Sequence, residues 1–296
     1  MAKKLNWDGT DIGTNAAWTE YDNSESGLSS GNVQDAIDEV VELIGDTPSS
    51  GGYEPYRGLK LGVIGDSFTA QYDWLSVMNE QLKFGSIVNK AIIGCTWSKN
   101  PQDHPTWEAL SCARELYSAY TSANTSPDYI IALLGVNDTI AVALSRGEVV
   151  GNITYTNLAL QSGNDEATIV SNIKTHYGYD DGQDVSFTAG VQSTIAYLQL
   201  MFPNARIKIG WTPAGQQYVR LYWSQVSPLV ERLKELALMS GVQYIDTFNI
   251  GINPWLEDYR SIYEASYGGQ NPNLHPSAAG AARIGDYMAR ILLNNL

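Results

Sequence analysis

From Leu59 onward the chain alternates short apolar runs with stretches of helical character. Leu59–Gly65, Ile87–Gly94, Tyr129–Gly135, Arg206–Trp211 and Val242–Asp246 are brief, rich in Val, Ile and Leu, and bounded by Gly or polar residues. Runs of that kind are strands buried on both faces. Gln71–Leu82, Gly190–Met201 and Val226–Met239 read as helices between them, and a small-residue helix, Ala278–Leu293, closes the chain. Alternating strands and helices predict an α/β fold: a three-layer α/β/α sandwich around a five-stranded parallel sheet. In such sheets ligands bind beyond the carboxyl ends of the strands. The stretch 141–185 breaks the rhythm, being polar and Gly-containing, and reads as an insertion beside the site.

Residues 1–52 follow another pattern. The first thirty-two are rich in Asn, Asp, Ser, Thr and Gly, with little apolar periodicity. A short helix follows, capped by Ser30 or Asn32 and ended by Gly45. Val33, Ile37, Val40 and Ile44 are spaced four, three, four, a β-branched heptad seam. Such a seam favours three or four strands over two; the alternative is packing on the helix's own domain. Thr47–Gly52 reads as a flexible linker, so the expected division is 1–52, a stalk-like segment, and 53–296, the α/β domain.

Composition narrows the partners. Eighteen basic against thirty-two acidic residues leave a net charge of −14, which repels phosphate backbones and anionic membranes. No nucleic acid and no membrane partner is expected. No apolar run approaches the roughly 20 residues that span a bilayer, and the basic start MAKKLNWDGTD has no apolar region behind it, so no signal peptide is expected. Cys95 and Cys112 lack metal-ligand spacing; two buried free thiols are the default reading and a disulfide the alternative. No metal and no organic cofactor is called for. Eighteen Tyr and eight Trp supply core and groove lining and the faces on which sugars stack.

Polar residues at the strand ends carry the candidate chemistry. Gly65-Asp66-Ser67 ends the first run, where a serine offers both a hydroxyl and an N–H at the start of a helix. Gly94 ends the second, and glycine lets a backbone N–H approach a substrate. Gly135-Val136-Asn137-Asp138 ends the third, with an amide able to donate to an oxyanion. Each, taken alone, is equally a helix cap or a turn. His275, in the loop Asn271–Gly280, is one of three histidines; His104 and His176 have no supporting pattern.

In this order the four blocks resemble those of the SGNH (GDSL-type) hydrolase family, over the chain from Leu59 to its end. The resemblance implies a flavodoxin-like sandwich and a serine esterase. Ser67 matches the nucleophile; the N–H groups of Ser67 and Gly94 and the amide of Asn137 match the oxyanion donors; His275 matches the general base. Two positions depart from the family. Pro272 stands where an acid three residues before the histidine is usual, so the expectation is a Ser–His dyad with the third member open, and Gln71 replaces a frequent glycine. Ser29–Glu39 resembles a stretch found in bacteriophage tail-fibre and baseplate proteins. That likeness implies a virion or prophage context with other tail proteins as partners and tips the seam toward an oligomeric stalk, so a homotrimer meeting through residues 33–44 is expected; the two resemblances together imply O-acetyl groups of an acylated host polysaccharide as substrate. A glycan-binding adhesin without turnover, and a lipase or thioesterase, are the competing readings.

Overall fold

The computed structural model describes residues 54–99, 108–138, 151–154, 165–179, 184–213, 223–247 and 275–294. The stalk-like segment, with its seam at 33–44, lies outside them, as do Asn271, Pro272 and Asn273. Among the described residues the strands are β1 (Lys60–Gly65), β2 (Ser86–Asn89), β3 (Tyr129–Leu133), β4 (Arg206–Gly210) and β5 (Gln243–Ile245). The helices are α1 (Ser67–Gln71), α2 (Trp74–Leu82), α3 (Ala109–Ser122), α4 (Glu166–Tyr177), α5 (Phe187–Met201), α6 (Trp223–Met239) and α7 (Ala278–Asn294).

The strands form one sheet in the order β2-β1-β3-β4-β5, every neighbouring pair parallel. The alternation of side chains divides each central strand between two apolar layers. Leu61 and Val63 of β1, with Tyr129, Ile131 and Leu133 of β3, pack with Trp74 and Met78 of α2 and Ile284, Met288 and Leu292 of α7. Ile64, Ile130, Ala132, Ile207 and Ile209 face the other way, into a layer built with α3, α4, α5 and α6. This is the three-layer parallel sandwich expected from the sequence, and it explains why the strands read as continuous apolar runs. The Tyr56 hydroxyl donates to the carbonyl of Leu292 at 2.6 Å, tying the entry of the domain to its last helix.

Three boundaries differ from the sequence reading. The strand expected over 87–94 ends at Asn89, and the chain reaches Gly94 through a turn closed by Cys95 N–H donating to Ile92 O at 3.0 Å. The helix expected from Gln71 begins at Ser67, because the Asp66 carboxylate caps it by accepting from Phe68 N–H at 3.0 Å. It then breaks at Tyr72, whose extended ψ of 140° separates α1 from α2. The polar stretch 141–185 contains a regular helix, α4, capped by Asp165 and closed by Gly178 in the left-handed region. Among the described residues no helix is long and apolar enough to cross a membrane.

Candidate active site

The strand order reverses direction between β1 and β3, and a doubly wound sheet opens a crevice at such a switch point. Ser67 leaves the end of β1, and Asn137 leaves the end of β3 in a helical turn that starts at Val136. Ser67 opens α1, so its N–H lies among those that a helix start leaves without an intrahelical acceptor. Its Oγ lies 2.9 Å from Nε2 of His275, although 208 positions separate the two residues. Both are buried. The imidazole is stacked with two aromatic rings, Phe68 with centroids 5.1 Å apart and interplanar angle 25°, and Tyr72 at 5.5 Å and 23°. Tyr72 reaches that position because the chain is extended there between α1 and α2.

The loop after β2 supplies the next element. Gly94 sits at φ 81°, a conformation open to glycine and strained for other residues. Ile92 N–H donates to Gly65 O at 3.0 Å, anchoring this loop beside the end of β1. The side-chain amide of Asn137 donates to Cys95 O at 2.9 Å, which joins the β2 loop to the β3 end. Gly135, at φ 137°, is required as well, since a Cβ there would meet the Trp211 indole at 2.5 Å.

Two buried carboxylates brace this framework. Asp138 accepts from Trp97 N–H at 2.9 Å, from Ser98 N–H at 2.9 Å and from the Ser98 hydroxyl at 2.6 Å. The Trp97 indole N–H donates to Leu134 O at 3.1 Å, so the β2 loop is stitched to the β3 end from both sides. Asp66 accepts from Phe68 N–H and from the Thr212 hydroxyl, which follows β4. Burial pushes the Asp66 carboxyl up to about 7, against those hydrogen bonds and with help from the charge of Asp138. Burial likewise raises Asp138 to about 6, against the bonds from Ser98 and Trp97. Both carboxylates are fully enclosed, and so hold structure rather than face a substrate.

The sequence reading noticed Asp66 and Asp138 only as caps and missed Thr212 and Thr247. The Thr247 hydroxyl donates to Trp211 O at 2.6 Å, bracing the ends of β4 and β5. Polar residues directly after a strand were the signal available for both. His176 lies on α4 against Tyr177, and His104 lies outside the described residues. Among the described residues no cluster of His, Cys, Asp and Glu could hold a metal ion.

Fold and site layout together define a class, that of the SGNH-type hydrolases. The model of the GDSL-like Lipase/Acylhydrolase family matches residues 63–283, and the chain belongs to that family. No curated protein matches the sequence. Among solved structures, one crystal structure aligns over 80% of this chain and 96% of its own, at 18% identity and a TM-score of 0.53. A protein from Lactobacillus plantarum aligns over 81% and 99%, at 16% identity and a TM-score of 0.51. A candidate GDSL-like lipase from Bacteroides ovatus aligns over 80% and 99%, at 13% identity and a TM-score of 0.49. At these identities the first two speak for the fold alone.

Proposed function

We propose that the protein is a serine esterase in which Ser67 is the nucleophile and His275 its general base. The observation that carries this reading is the 2.9 Å contact between Ser67 Oγ and His275 Nε2 at the switch point of the sheet. The imidazole takes the hydroxyl proton as Oγ attacks the ester carbonyl. Negative charge on the former carbonyl oxygen is met by the N–H groups of Ser67 and Gly94 and by the Asn137 amide. The intermediate collapses, the C–O bond to the alcohol breaks, and His275 returns the proton to the departing oxygen. Water then repeats the sequence on the acyl-serine and releases the acid. No step requires a metal or an organic cofactor.

The substrate we assign is an O-acetyl group on a polysaccharide of a host surface, with the protein borne on a phage tail or tail fibre. The abundance of Tyr and Trp supports a sugar, and the resemblance of Ser29–Glu39 to tail proteins supports the setting. The same segment supports a homotrimer joined through residues 33–44, since one short helix with a β-branched seam gains most by burying it against copies of itself. Several weak glycan sites on one stalk add avidity.

Comparison of p-nitrophenyl acetate with longer acyl esters, alongside acetate release from O-acetylated polysaccharide, tests the substrate. Preference for acetyl and release from the polymer support the assignment; preference for long acyl chains makes the protein a lipase or thioesterase instead. Pro272, where the family usually has an acid, favours a second reading, a glycan-binding adhesin without turnover. Glycan binding with no hydrolysis of any ester would establish that second reading. Light scattering tests the assembly: a particle of 32.4 kDa, the mass of one chain, would refute the trimer.

A further inference from the structure

The esterase reading leaves the two cysteines without a task, yet the fold brings them together. Cys95 follows Gly94 in the loop after β2, and Cys112 lies in the first turn of α3. Ala109 N–H donates to Thr96 O at 2.8 Å, and Thr96 pairs with Glu108 in an isolated parallel bridge. These contacts hold the start of α3 against the loop. The two sulfurs, both buried and both free thiols, lie 3.1 Å apart. A disulfide requires about 2.03–2.05 Å between sulfurs, so closure asks for a shift of roughly one ångström, within the range of small side-chain rotations. The surroundings are apolar, with Trp97, Leu110, Ala113 and Leu116 in the same packed layer. Burial pushes the Cys95 thiol above its ordinary range, with Cys112 adding to the effect. Reduced Cys95 therefore stays protonated near neutral pH.

We infer that Cys95 and Cys112 form a redox pair that closes to an intramolecular disulfide on exposure to a low-molecular-weight disulfide. The thiolate of one cysteine attacks the small disulfide, forming a mixed disulfide and expelling one small thiol. The second cysteine attacks the protein sulfur and expels the other. The protein gives up two protons and two electrons, and one small disulfide becomes two small thiols. The bond pins the loop that carries Gly94, and whose Cys95 carbonyl holds the Asn137 amide, to the start of α3. It adds covalent restraint to the framework of the site and takes no part in the reaction. Because both sulfurs are enclosed, exchange waits on transient opening of the loop. Its extent at equilibrium, not its speed, is the property that the geometry determines.

The test uses the full chain and oxidised glutathione at mildly alkaline pH, with enough urea to promote opening without crossing the unfolding transition. Thiols are counted after denaturation, and the intact mass and non-reduced peptides are analysed. The expected result is a fall from two thiols to none, a mass lower by two hydrogens, and a peptide linking Cys95 to Cys112. Tm rises by roughly 5–10 °C, as expected for closing a loop of this length, and dithiothreitol reverses the rise. Two thiols retained at equilibrium, stable glutathione adducts, or cross-linked dimers would overturn the inference. A Cys95→Ala/Cys112→Ala variant should show no oxidant-dependent change in Tm; the same rise in that variant would also overturn it.

Discussion

The side-chain amide of Asn137 donates to the backbone carbonyl of Cys95 at 2.9 Å, locking the end of β3 to the loop that follows β2. An amide nitrogen carries two hydrogens, so this bond fixes the direction of the group and leaves the second hydrogen for another acceptor, the oxyanion in the proposed reaction. Loss of one preorganised oxyanion donor typically costs about 10²–10³ in kcat. Asn137→Ala should lower kcat by that order and change KM little, as read from steady-state kinetics on a soluble ester. A kcat equal to that of the wild type would leave Asn137 with the packing role alone.

Asp138 holds the same loop through three hydrogen bonds from two residues. Asp138→Ala strands the N–H groups of Trp97 and Ser98 in a buried site, at about 1–3 kcal/mol each. Urea unfolding should show a loss of a few kcal/mol for Ala and a smaller loss for Asn, which keeps one acceptor oxygen. Equal stability of Asp138→Ala and wild type would contradict the clamp.

The raised carboxyl of Asp66 makes a statement about pH. An unfolded aspartate titrates near 3.8 and the folded one near 7, so between those values the folded state binds the proton more tightly. The stability tied to this group is fully present below pH 3.8 and is lost as pH rises through about 7. Asn at position 66 never ionises and can still cap α1. The Tm of Asp66→Asn minus that of wild type should therefore grow steadily more positive from pH 4 to pH 8. A difference independent of pH would mean that Asp66 is not held in its neutral form by burial.

The central strands left a clear trace in the sequence, because helices cover both sides of the sheet and β1 beyond Lys60 and all of β3 are buried. That Ser67, Gly94 and Asn137 follow β1, β2 and β3 was legible for a related reason, since in a parallel sheet the same edge recurs after each crossover, although Gly94 lies in the loop beyond the end of β2 at Asn89. Less legible was whatever depended on partners distant in sequence. Helix α3 was not read at all, although Leu110, Ala113, Leu116 and Tyr120 stand at helical spacing and form its buried face. The break at Tyr72 has no local signal; it places a ring beside His275, two hundred residues away. Asp66 and Asp138 read as simple caps, and only the tertiary structure shows what else they bind.

A histidine acting as base must be neutral, so kcat/KM should fall on the acid side as the imidazole takes up a proton. His275→Ala should remove both the activity and that fall. A wild-type profile flat from about pH 5 to pH 9 would speak against a histidine base.

The central claim rests on one hydroxyl, and one measurement reaches it most directly. The wild-type protein is treated with a serine-reactive phosphonate, the labelled peptide is sequenced, and p-nitrophenyl acetate hydrolysis is compared with that of Ser67→Ala. The account predicts label on Ser67 alone, and a Ser67→Ala protein that folds with nearly wild-type Tm but turns over no ester. Label on another residue, or undiminished hydrolysis by Ser67→Ala, would contradict it.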